Sequence, residues 1–358
     1  MPQPLLFFYV SGHGFGHASR DIELMNAVAL KHPDTRFVVR TAVRPVLFEI
    51  ATAPIDVQPF EADTGVSQID SLRLDEEATA RRAAEFYREW DRRVDDEAAV
   101  LRAGGATLVV GDIPPIAFAA AAQAGVPSVA VGNFTWDWIY AHYPAFDAIA
   151  PEVIPIINSA YATATRTLRL PLHGGFAATA IVLRDIPFIA RRSTRDPADT
   201  RRRLGVPQGN RLVLVSFGAY GVDLPLEVIR RSTPFTVAAF DRPPDGLLYP
   251  DIVAAADVVV SKPGYGIVSE CIANETALLY TSRGRFIEYD IFVKEMPKVL
   301  RCRYITQEDL FAGRWADAIE ALLEQPAPPE RAAVDGADVA AEEILNLVIG
   351  RSGSCWQG

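Results

Sequence analysis

Short apolar, β-branched runs alternate along the chain with longer segments of helical periodicity. This alternation is typical of α/β proteins, in which each buried parallel strand is followed by a returning helix. The apolar runs predict two sets of strands, at residues 5–10, 36–40, 107–111 and 128–131, and at 211–216, 235–239, 257–261 and 277–280. The intervening pattern predicts helices at residues 19–31, 76–103, 116–124 and 268–273, and a last helix at 338–349.

A stretch rich in proline, glycine and arginine at residues 167–196 separates the two sets of strands. We therefore expect two doubly wound, Rossmann-like domains that face each other across a cleft. The predicted parts are an N-terminal domain, a linker, a C-terminal domain, and a final helix with a tail, at residues 1–170, 171–195, 196–337 and 338–358. Ligands in such sheets bind beyond the carboxyl ends of the strands.

Composition narrows the possible partners. With 358 residues and 49% hydrophobic residues, the chain can bury two cores without disulfides. Its net charge of −10 argues against broad nucleic-acid binding, and we interpret the arginines at 191–192 and 201–203 as a solvated linker and helix face. No apolar run reaches the roughly 18 residues of a transmembrane helix. Three cysteines without pair spacing favour a reducing, cytoplasmic setting.

A glycine loop, Ser-Gly-His-Gly-Phe-Gly-His, follows the first predicted strand at residues 11–17. It is close to a dinucleotide fingerprint, but His17 replaces the last glycine and the second strand ends in Arg40-Thr41 rather than in an acidic residue. His13 and His17 have the spacing of helical zinc ligands, yet the glutamate of zincins is missing. We therefore expect neither a dinucleotide cofactor nor a metal.

An imidazole at the start of a helix can act as a base, or it can bind a phosphate or a hydroxyl. The alternative is that both histidines only close the turn. Because histidine is an unusual residue in a glycine turn, we favour a functional role for His17, with His13 in support. Gly14 and Gly16 would then line the same site.

Asp112 stands where the strand predicted at 107–111 ends, so its side chain is expected at the ligand-binding edge of the sheet. There it can orient His17 or bind acceptor hydroxyls. Alternatively, it caps the helix that begins near Pro114.

Amide, aromatic and carboxylate groups follow the next strand, at Asn133, Trp136 and Asp137. Aromatic faces beside such polar groups suit a carbohydrate acceptor. The same residues also suit an ordinary aromatic core, and the two interpretations stay open.

The segment Ser-Lys-Pro-Gly-Tyr-Gly-Ile-Val-Ser-Glu at residues 261–270 combines a strand end, a glycine turn and a helix start. Unpaired N–H groups at a helix start attract phosphate. Glu270, about one turn inside, can accept hydrogen bonds from sugar hydroxyls, so a nucleotide or nucleotide-sugar is indicated. A second glycine loop at 215–221 and the loop that carries Glu288 and Tyr289 are expected beside this site.

Four segments together resemble a known group of proteins. The chain is similar to GT-B glycosyltransferases and, more closely, to the glycosyltransferase-like region before the kinase of plant arabinokinases and to its stand-alone bacterial relatives. A more distant similarity is to the N-acetylglucosaminyltransferase that makes lipid II. The segments that carry the resemblance lie at residues 9–20, 133–140, 170–175 and 261–270. The chain departs from its relatives at Ile267, where a threonine is usual.

The resemblance implies an inverting, metal-independent transfer of a hexosyl or N-acetylhexosaminyl group from a nucleotide-diphosphate sugar, with uridine as the expected base. It implies a small-molecule, glycan or lipid-linked acceptor and no cofactor. His17 would be the base, supported by His13 or Asp112. The donor would contact Ser216, Gly218, Gly264, Tyr265, Gly266, Glu270, Glu288 and Tyr289. Two alternatives remain, a non-catalytic nucleotide-sugar-binding module and a sugar-nucleotide 2-epimerase.

Overall fold

The computed structural model describes residues 3–218, 221–240 and 242–354. The chain divides into two compact units. The first contains the residues up to Ser67, then Asp75–Ile189, and the chain from Asp335 onward. The second contains Gln68–Leu74 and Ala190–Val334. No helix in the described ranges is long and apolar enough to cross a membrane.

A seven-stranded parallel sheet forms the centre of the first unit. Its strands are β1 (Leu5–Val10), β2 (Arg36–Thr41), β3 (Ile55–Pro59), β4 (Leu108–Asp112), β5 (Ser128–Phe134), β6 (Arg166–Gly174) and β7 (Leu183–Asp185). The strand order is β3-β2-β1-β4-β5-β6-β7, so the order reverses between β1 and β4. Val10 pairs with Asp112 at the carboxyl ends of these two strands. Ligands bind at such a reversal point in doubly wound sheets.

Seven helices with wholly described bounds accompany this sheet: α1 (Phe15–Lys31), α2 (Glu76–Arg88), α3 (Trp90–Gly104), α4 (Pro115–Ala124), α5 (Trp136–Tyr140), α6 (Ala145–Ile149) and α7 (Val153–Tyr161). Short 3₁₀ helices lie at Pro45–Ile50 and Ala177–Val182. The single helix expected at 76–103 is two helices, because the backbone at Glu89 leaves the helical region and α3 begins anew at Trp90.

Two further differences from the expected elements affect the site. Helix α1 starts at Phe15 rather than at residue 19, so His17 lies in its first turn. The connection expected from residue 167 begins instead as strand β6, in which Leu168, Leu170 and Leu172 are buried in alternation. The proline at 171 obscured this strand, and β6 tolerates it near the carboxyl end.

The second unit has a five-stranded parallel sheet made of β8 (Leu212–Ser216), β9 (Thr236–Ala239), β10 (Val258–Ser261), β11 (Ala277–Tyr280) and β12 (Cys302–Tyr304). Its order is β12-β11-β10-β8-β9, with the reversal between β8 and β10. Its helices are α8 (Pro197–Arg203), α9 (Leu226–Ser232), α10 (Tyr249–Ala255), α11 (Tyr265–Ala273), α12 (Glu288–Val299), α13 (Gln307–Ala312) and α14 (Ala316–Leu323). Ser216 pairs with Ser261 at the reversal.

The last helix, α15 (Gly336–Ser354), belongs to the first unit. Lys31 at the end of α1 lies 3.6 Å from Asp338 and 3.1 Å from Glu342 of α15. Ile344 is fully buried, so apolar packing rather than these exposed ion pairs holds the helix.

The segment Gln68–Leu74 belongs to the second unit although the chain on both sides of it belongs to the first. It is closed by an antiparallel bridge between Gln68 and Leu74. Ser71 donates its hydroxyl to the carbonyl of Phe217 at 2.6 Å, and Leu72 is buried in the apolar core below β8 and β10. Nothing in the sequence pattern indicated this insertion.

Replacing Leu72 with alanine should destabilise the second unit by about 2 to 5 kcal/mol, because a buried leucine is truncated in a packed core. Hydrogen exchange of peptides from β8 and β10 measures this effect. Ile69→Ala is the matched control, since Ile69 lies in the same segment but is 60% exposed whereas Leu72 is 4% exposed. Equal effects of the two changes would contradict the placement of Leu72.

Candidate functional site

A buried histidine–carboxylate pair lies where the first sheet reverses its order. His17 in the first turn of α1 places Nδ1 2.8 Å from Asp112 Oδ1 at the end of β4. Gly14 precedes the helix with φ of 92°, a conformation that favours glycine, and so allows the chain to turn sharply from β1 into α1. The expected orientation of His17 by Asp112 therefore has a direct geometric basis.

Arg20 completes this cluster one helical turn after His17. Its guanidinium binds both carboxylate oxygens of Asp112 and donates to Asn133 Oδ1 at 3.0 Å. Burial alone would raise the pKa of the Asp112 carboxyl, but Arg20, and then His17, outweigh burial and lower that pKa. Asp112 is therefore an ionised partner for the histidine at neutral pH, and not a helix cap.

The position of the proton on His17 follows from these contacts. Arg20 Nη2 lies 3.0 Å from His17 Nδ1, and it also binds the same Asp112 oxygen. Because two donors converging on one carboxylate oxygen satisfy all three groups, we assign the proton of the neutral ring to Nδ1. The lone pair then lies on Nε2, which bonds no protein group within the described ranges. His17 is 6% exposed.

Asp21 is a second buried carboxyl on the same helix. It is fully buried, and neither of its carboxyl oxygens has a hydrogen-bond partner in the part of the chain that the structure describes. Burial, and then the negative charge of Asp112, raise the pKa of the Asp21 carboxyl well above its ordinary value, while Arg20 opposes them. In its neutral form the Asp21 carboxyl does not compete with Asp112 for the Arg20 guanidinium.

A loop after β3 supports the glycine turn. Asp63 accepts hydrogen bonds from Ser11 Oγ at 3.1 Å and from Trp136 Nε1 at 2.8 Å. Val66 donates its N–H to His13 Nδ1 at 3.3 Å, and the His13 ring meets the edge of Trp136 at 5.5 Å. His13 is therefore packed between the loop after β3 and Trp136. Its catalytic support of His17 stays a prediction.

Trp136 has the position of a core residue rather than of a sugar platform. It is 1% exposed, and its ring stacks on Tyr140 with centroids 5.5 Å apart. The aromatic-core interpretation is therefore the one that the geometry favours for this residue. Asp137 beside it is also buried, and burial raises the pKa of its carboxyl against the hydrogen bond from Thr135.

The glycine pair at the end of β6 packs against this aromatic segment. A Cβ on Gly174 would lie 2.3 Å from the Trp138 ring, and one on Gly175 would lie 2.2 Å from Thr135 Oγ1. Two of the segments that carried the family resemblance are therefore packing partners, which accounts for the glycines in residues 170–175.

In the second unit, the predicted phosphate segment leaves β10 and enters α11 without a side-chain cap. Gly264 is the N-cap residue, and the first i to i+4 bond joins Val268 N–H to the Gly264 carbonyl at 3.0 Å. Tyr265 and Gly266 form the first turn, so their N–H groups lie at the positive end of the helix.

Positive side chains adjoin this helix start. Burial, and then the nearby Arg283 guanidinium, hold the pKa of the Lys262 ammonium well below its usual range, while Glu288 opposes them. Lys262 Nζ would lie 3.9 Å from a Cβ on Gly264. The Arg283 guanidinium and the helix N-terminus favour a bound anion, and an anion bound there would in turn favour the charged form of Lys262.

The glycine loop after β8 adjoins the same edge of the sheet, because β8 and β10 are neighbours. Ser261 donates its hydroxyl to the carbonyl of Ser216, and Tyr249 bonds the Ser216 hydroxyl. Gly218 has φ of 73° and open space around it. The rest of this predicted loop, Ala219 and Tyr220, lies outside the described residues.

Glu270, the predicted ribose ligand, is 4% exposed and pairs with Arg191. Arg191 Nε lies 2.7 Å from Glu270 Oε1, and its Nη2 binds the same oxygen. The interpretation of Arg191 as a solvated linker residue is therefore wrong: its side chain is 13% exposed because it neutralises a buried carboxylate.

No family model matches the sequence. In a comparison with known proteins, the chain is 28% identical over 359 residues to L-arabinokinase of Arabidopsis thaliana, which confirms the resemblance to arabinokinases. The match covers 96% of this chain and 34% of that protein, so the chain spans about a third of the length of its relative.

Solved structures decide the fold. CalG4, the calicheamicin glycosyltransferase, superposes with a TM-score of 0.60 and 15% identity, and the match covers 100% of both chains. A protein described as a UDP-N-acetylglucosamine 2-epimerase from Listeria monocytogenes superposes with a TM-score of 0.55 at 13% identity, covering 100% of this chain and 99% of that chain. The chain has the GT-B fold. The expected fold class is thus confirmed.

Several polar residues of this GT-B protein were not singled out from the sequence. Arg20 and Asp63 in the first unit, and Lys262 and Arg191 in the second, each contact or adjoin a predicted site residue. The spacing of three between His17 and Arg20 was a usable signal, since it places both on one helix face. Asp63 and Arg191 are distant in sequence from the residues they bind, so no local pattern marks them.

Replacing Asp21 with asparagine should change how stability depends on pH. Because the native pKa of this carboxyl is raised, its protonated form stabilises the native state at low pH, and this contribution is lost as pH rises from about 4 toward the native value. The Asp21→Asn protein should therefore gain stability relative to wild type between pH 5 and pH 8. Urea unfolding across this range measures the difference.

Asp34→Asn is the matched control for that experiment, because Asp34 is an exposed aspartate in the turn between α1 and β2. Its unfolding free energy should follow the wild type at every pH. A constant offset between Asp21→Asn and wild type from pH 5 to pH 8 would contradict the raised pKa.

Proposed function

We propose that this chain is a glycosyltransferase that moves a sugar from a nucleotide-diphosphate sugar, with uridine as the base, to an acceptor hydroxyl with inversion at the anomeric carbon. The observation that carries the proposal is the His17–Asp112 pair, which leaves Nε2 available as a base. The acceptor is a small molecule, a glycan or a lipid-linked sugar. The free thiols of Cys271 and Cys302 favour a cytoplasmic setting.

The second unit would bind the donor. Glu270 would accept hydrogen bonds from the ribose, and backbone N–H groups of Tyr265 and Gly266 would meet the diphosphate. Lys262 adjoins the same helix start, and a bound diphosphate would favour its charged form. Ile267 offers no hydroxyl in place of the usual threonine. Ser216, Gly218, Gly264, Glu288 and Tyr289 complete the proposed donor set.

The first unit would activate the acceptor. His17 Nε2 would take the proton of the acceptor hydroxyl as the oxygen attacks the anomeric carbon and the bond to the diphosphate breaks. The charge that develops on the imidazole would be stabilised by Asp112. Positive groups and helix dipoles around the diphosphate would stabilise the leaving group, so that the proposed transfer needs no metal.

A second candidate is a sugar-nucleotide 2-epimerase. Buried carboxyls at Asp21, Asp63 and Asp112 around His17 resemble the several acidic groups that such a reaction needs, and one structural neighbour is described as an epimerase. The two activities differ in product. A transferase releases uridine diphosphate as it passes the sugar to an acceptor. A 2-epimerase instead converts uridine-diphosphate N-acetylglucosamine into its epimer, which NMR of the incubated nucleotide-sugar would detect.

Replacing Glu270 with glutamine should weaken binding of uridine diphosphate by roughly 10- to 100-fold, since a neutral amide oxygen accepts weaker hydrogen bonds than a carboxylate and the amide N–H₂ accepts none. Isothermal calorimetry measures the affinity. Glu320→Gln, a change on the exposed face of α14, is the control and should bind as the wild type does. Unchanged affinity in Glu270→Gln would refute the donor-site assignment.

Replacing His17 with alanine should leave the affinity for uridine diphosphate unchanged but slow its release from uridine-diphosphate glucose or N-acetylglucosamine by roughly 10²- to 10⁴-fold, because the base is lost. Coupled detection of released uridine diphosphate, with water or a sugar as acceptor, gives the rate. His142→Ala, an exposed histidine, is the control. A wild type that binds the donor and never releases the diphosphate would favour a non-catalytic binding module.

A further inference from the structure

The chain that enters the second unit is hydrogen-bonded to the C-terminal end of α11, the helix that carries Glu270. We define Arg191–Arg195 as the strap. Asn274, the C-cap residue of α11, accepts the Ser193 N–H at 2.9 Å and donates to the Arg191 carbonyl at 3.1 Å. The same amide group donates to the carbonyl of Glu270 at 2.9 Å. One side chain therefore ties the strap to the turn that carries Glu270.

A second hydrogen bond fixes the strap from the other side. Ser193 donates its hydroxyl to Asp251 Oδ1 at 2.6 Å, and the Arg191 guanidinium lies 5.9 Å from the centre of the Tyr249 ring. Both partners belong to α10. The backbone of the strap is thus held at two points, which limits where the Arg191 side chain can reach.

The contact of Arg191 with Glu270 is one-sided. Both guanidinium nitrogens that reach the carboxylate bind Oε1, and Oε2 has no hydrogen-bond partner within the described ranges. A carboxylate that is nearly removed from water costs free energy unless it is paired. Arg191 therefore holds the carboxylate in one orientation and leaves Oε2 as the acceptor oxygen that it does not bind.

We propose that Arg191 is a specificity-determining positioning residue, which orients Glu270 so that Oε2 selects nucleotides that carry ribose hydroxyls. The inference rests on the proposed nucleotide site. A ligand without these hydroxyls would leave Oε2 buried and unpaired, and such an unsatisfied acceptor is penalised more than a missing contact. Selectivity thus depends on the orientation that the strap imposes, and not on Glu270 alone.

The test compares uridine diphosphate with 2′,3′-dideoxyuridine diphosphate by calorimetry in the full chain. The wild type should prefer the ribonucleotide by roughly 10- to 100-fold. In Arg191→Met this preference should shrink to within about threefold, mainly through loss of affinity for the ribonucleotide. Arg191→Lys should recover only part of it, because an ammonium lacks the planar fork of the guanidinium.

Arg192→Met is the matched control, because Arg192 is the next residue and makes no hydrogen bond or ion pair among the residues that the structure describes. It should keep the wild-type preference. Asn274→Ala keeps the arginine at 191 but removes the hydrogen bonds that hold the strap. It should therefore also reduce the preference for the ribonucleotide. This second variant keeps the test valid if Arg191→Met folds poorly.

The outcomes separate the inference from the function on which it rests. An Arg191→Met protein that keeps the wild-type preference overturns the role of Arg191 and leaves the donor site intact. A wild type that binds both nucleotides equally overturns the inference and also the contact of Glu270 with the ribose, but not the binding of the diphosphate. A wild type that binds neither nucleotide contradicts the proposed function and overturns the inference with it. Loss of preference in Arg191→Met and Asn274→Ala, with Arg192→Met unchanged, supports the inference.

Discussion

A carboxylate that is removed from water and stays ionised must be paired with a positive charge, and this constraint shapes the candidate site in each unit. In the first unit Arg20 neutralises Asp112, and in the second Arg191 neutralises Glu270. In both places the arginine leaves one function of the site uncommitted. His17 keeps Nε2, and Glu270 keeps Oε2. Among the described residues, the same principle therefore leaves an imidazole nitrogen without a hydrogen bond in one unit and a carboxylate oxygen without one in the other.

The sheets explain why these groups occur where they do. Each parallel sheet reverses its strand order between two central strands, and the carboxyl ends of those strands carry the polar residues. Val10 pairs with Asp112 at one reversal and Ser216 with Ser261 at the other. A glycine loop follows the first strand of each pair. The two candidate sites therefore share the same strand–loop arrangement but carry different side chains.

Much of the fold was predictable because its signals are local. Apolar runs located the main strands, and the glycine turns located the two sites. The failures arose where local and tertiary preferences conflict. Strand β6 contains a proline, which obscured the alternation of its buried leucines. The segment Gln68–Leu74 joins the second unit through Leu72, which no local pattern distinguishes from other leucines.

The candidate site shows the same limit more sharply. His17, Asp112 and Glu270 stand beside recognisable turns, so their residue types and positions were enough to select them as candidate site residues from the sequence. Their partners did not follow, because Arg191 precedes Glu270 by 79 residues and Asp63 follows Ser11 by 52. Arg191 stands in a basic run, and composition alone made it a solvated linker residue. Only its burial against a carboxylate shows that it is paired with Glu270.

The central claim is that the second unit binds a nucleotide at the start of α11 with its ribose on Glu270. The most direct measurement is a crystal structure of the protein with uridine diphosphate. The account predicts a ribose hydroxyl within hydrogen-bond distance of Glu270 Oε2 and the diphosphate against the N–H groups of Tyr265 and Gly266. A nucleotide bound elsewhere, or a Glu270 carboxylate without contact to the ribose, would contradict it.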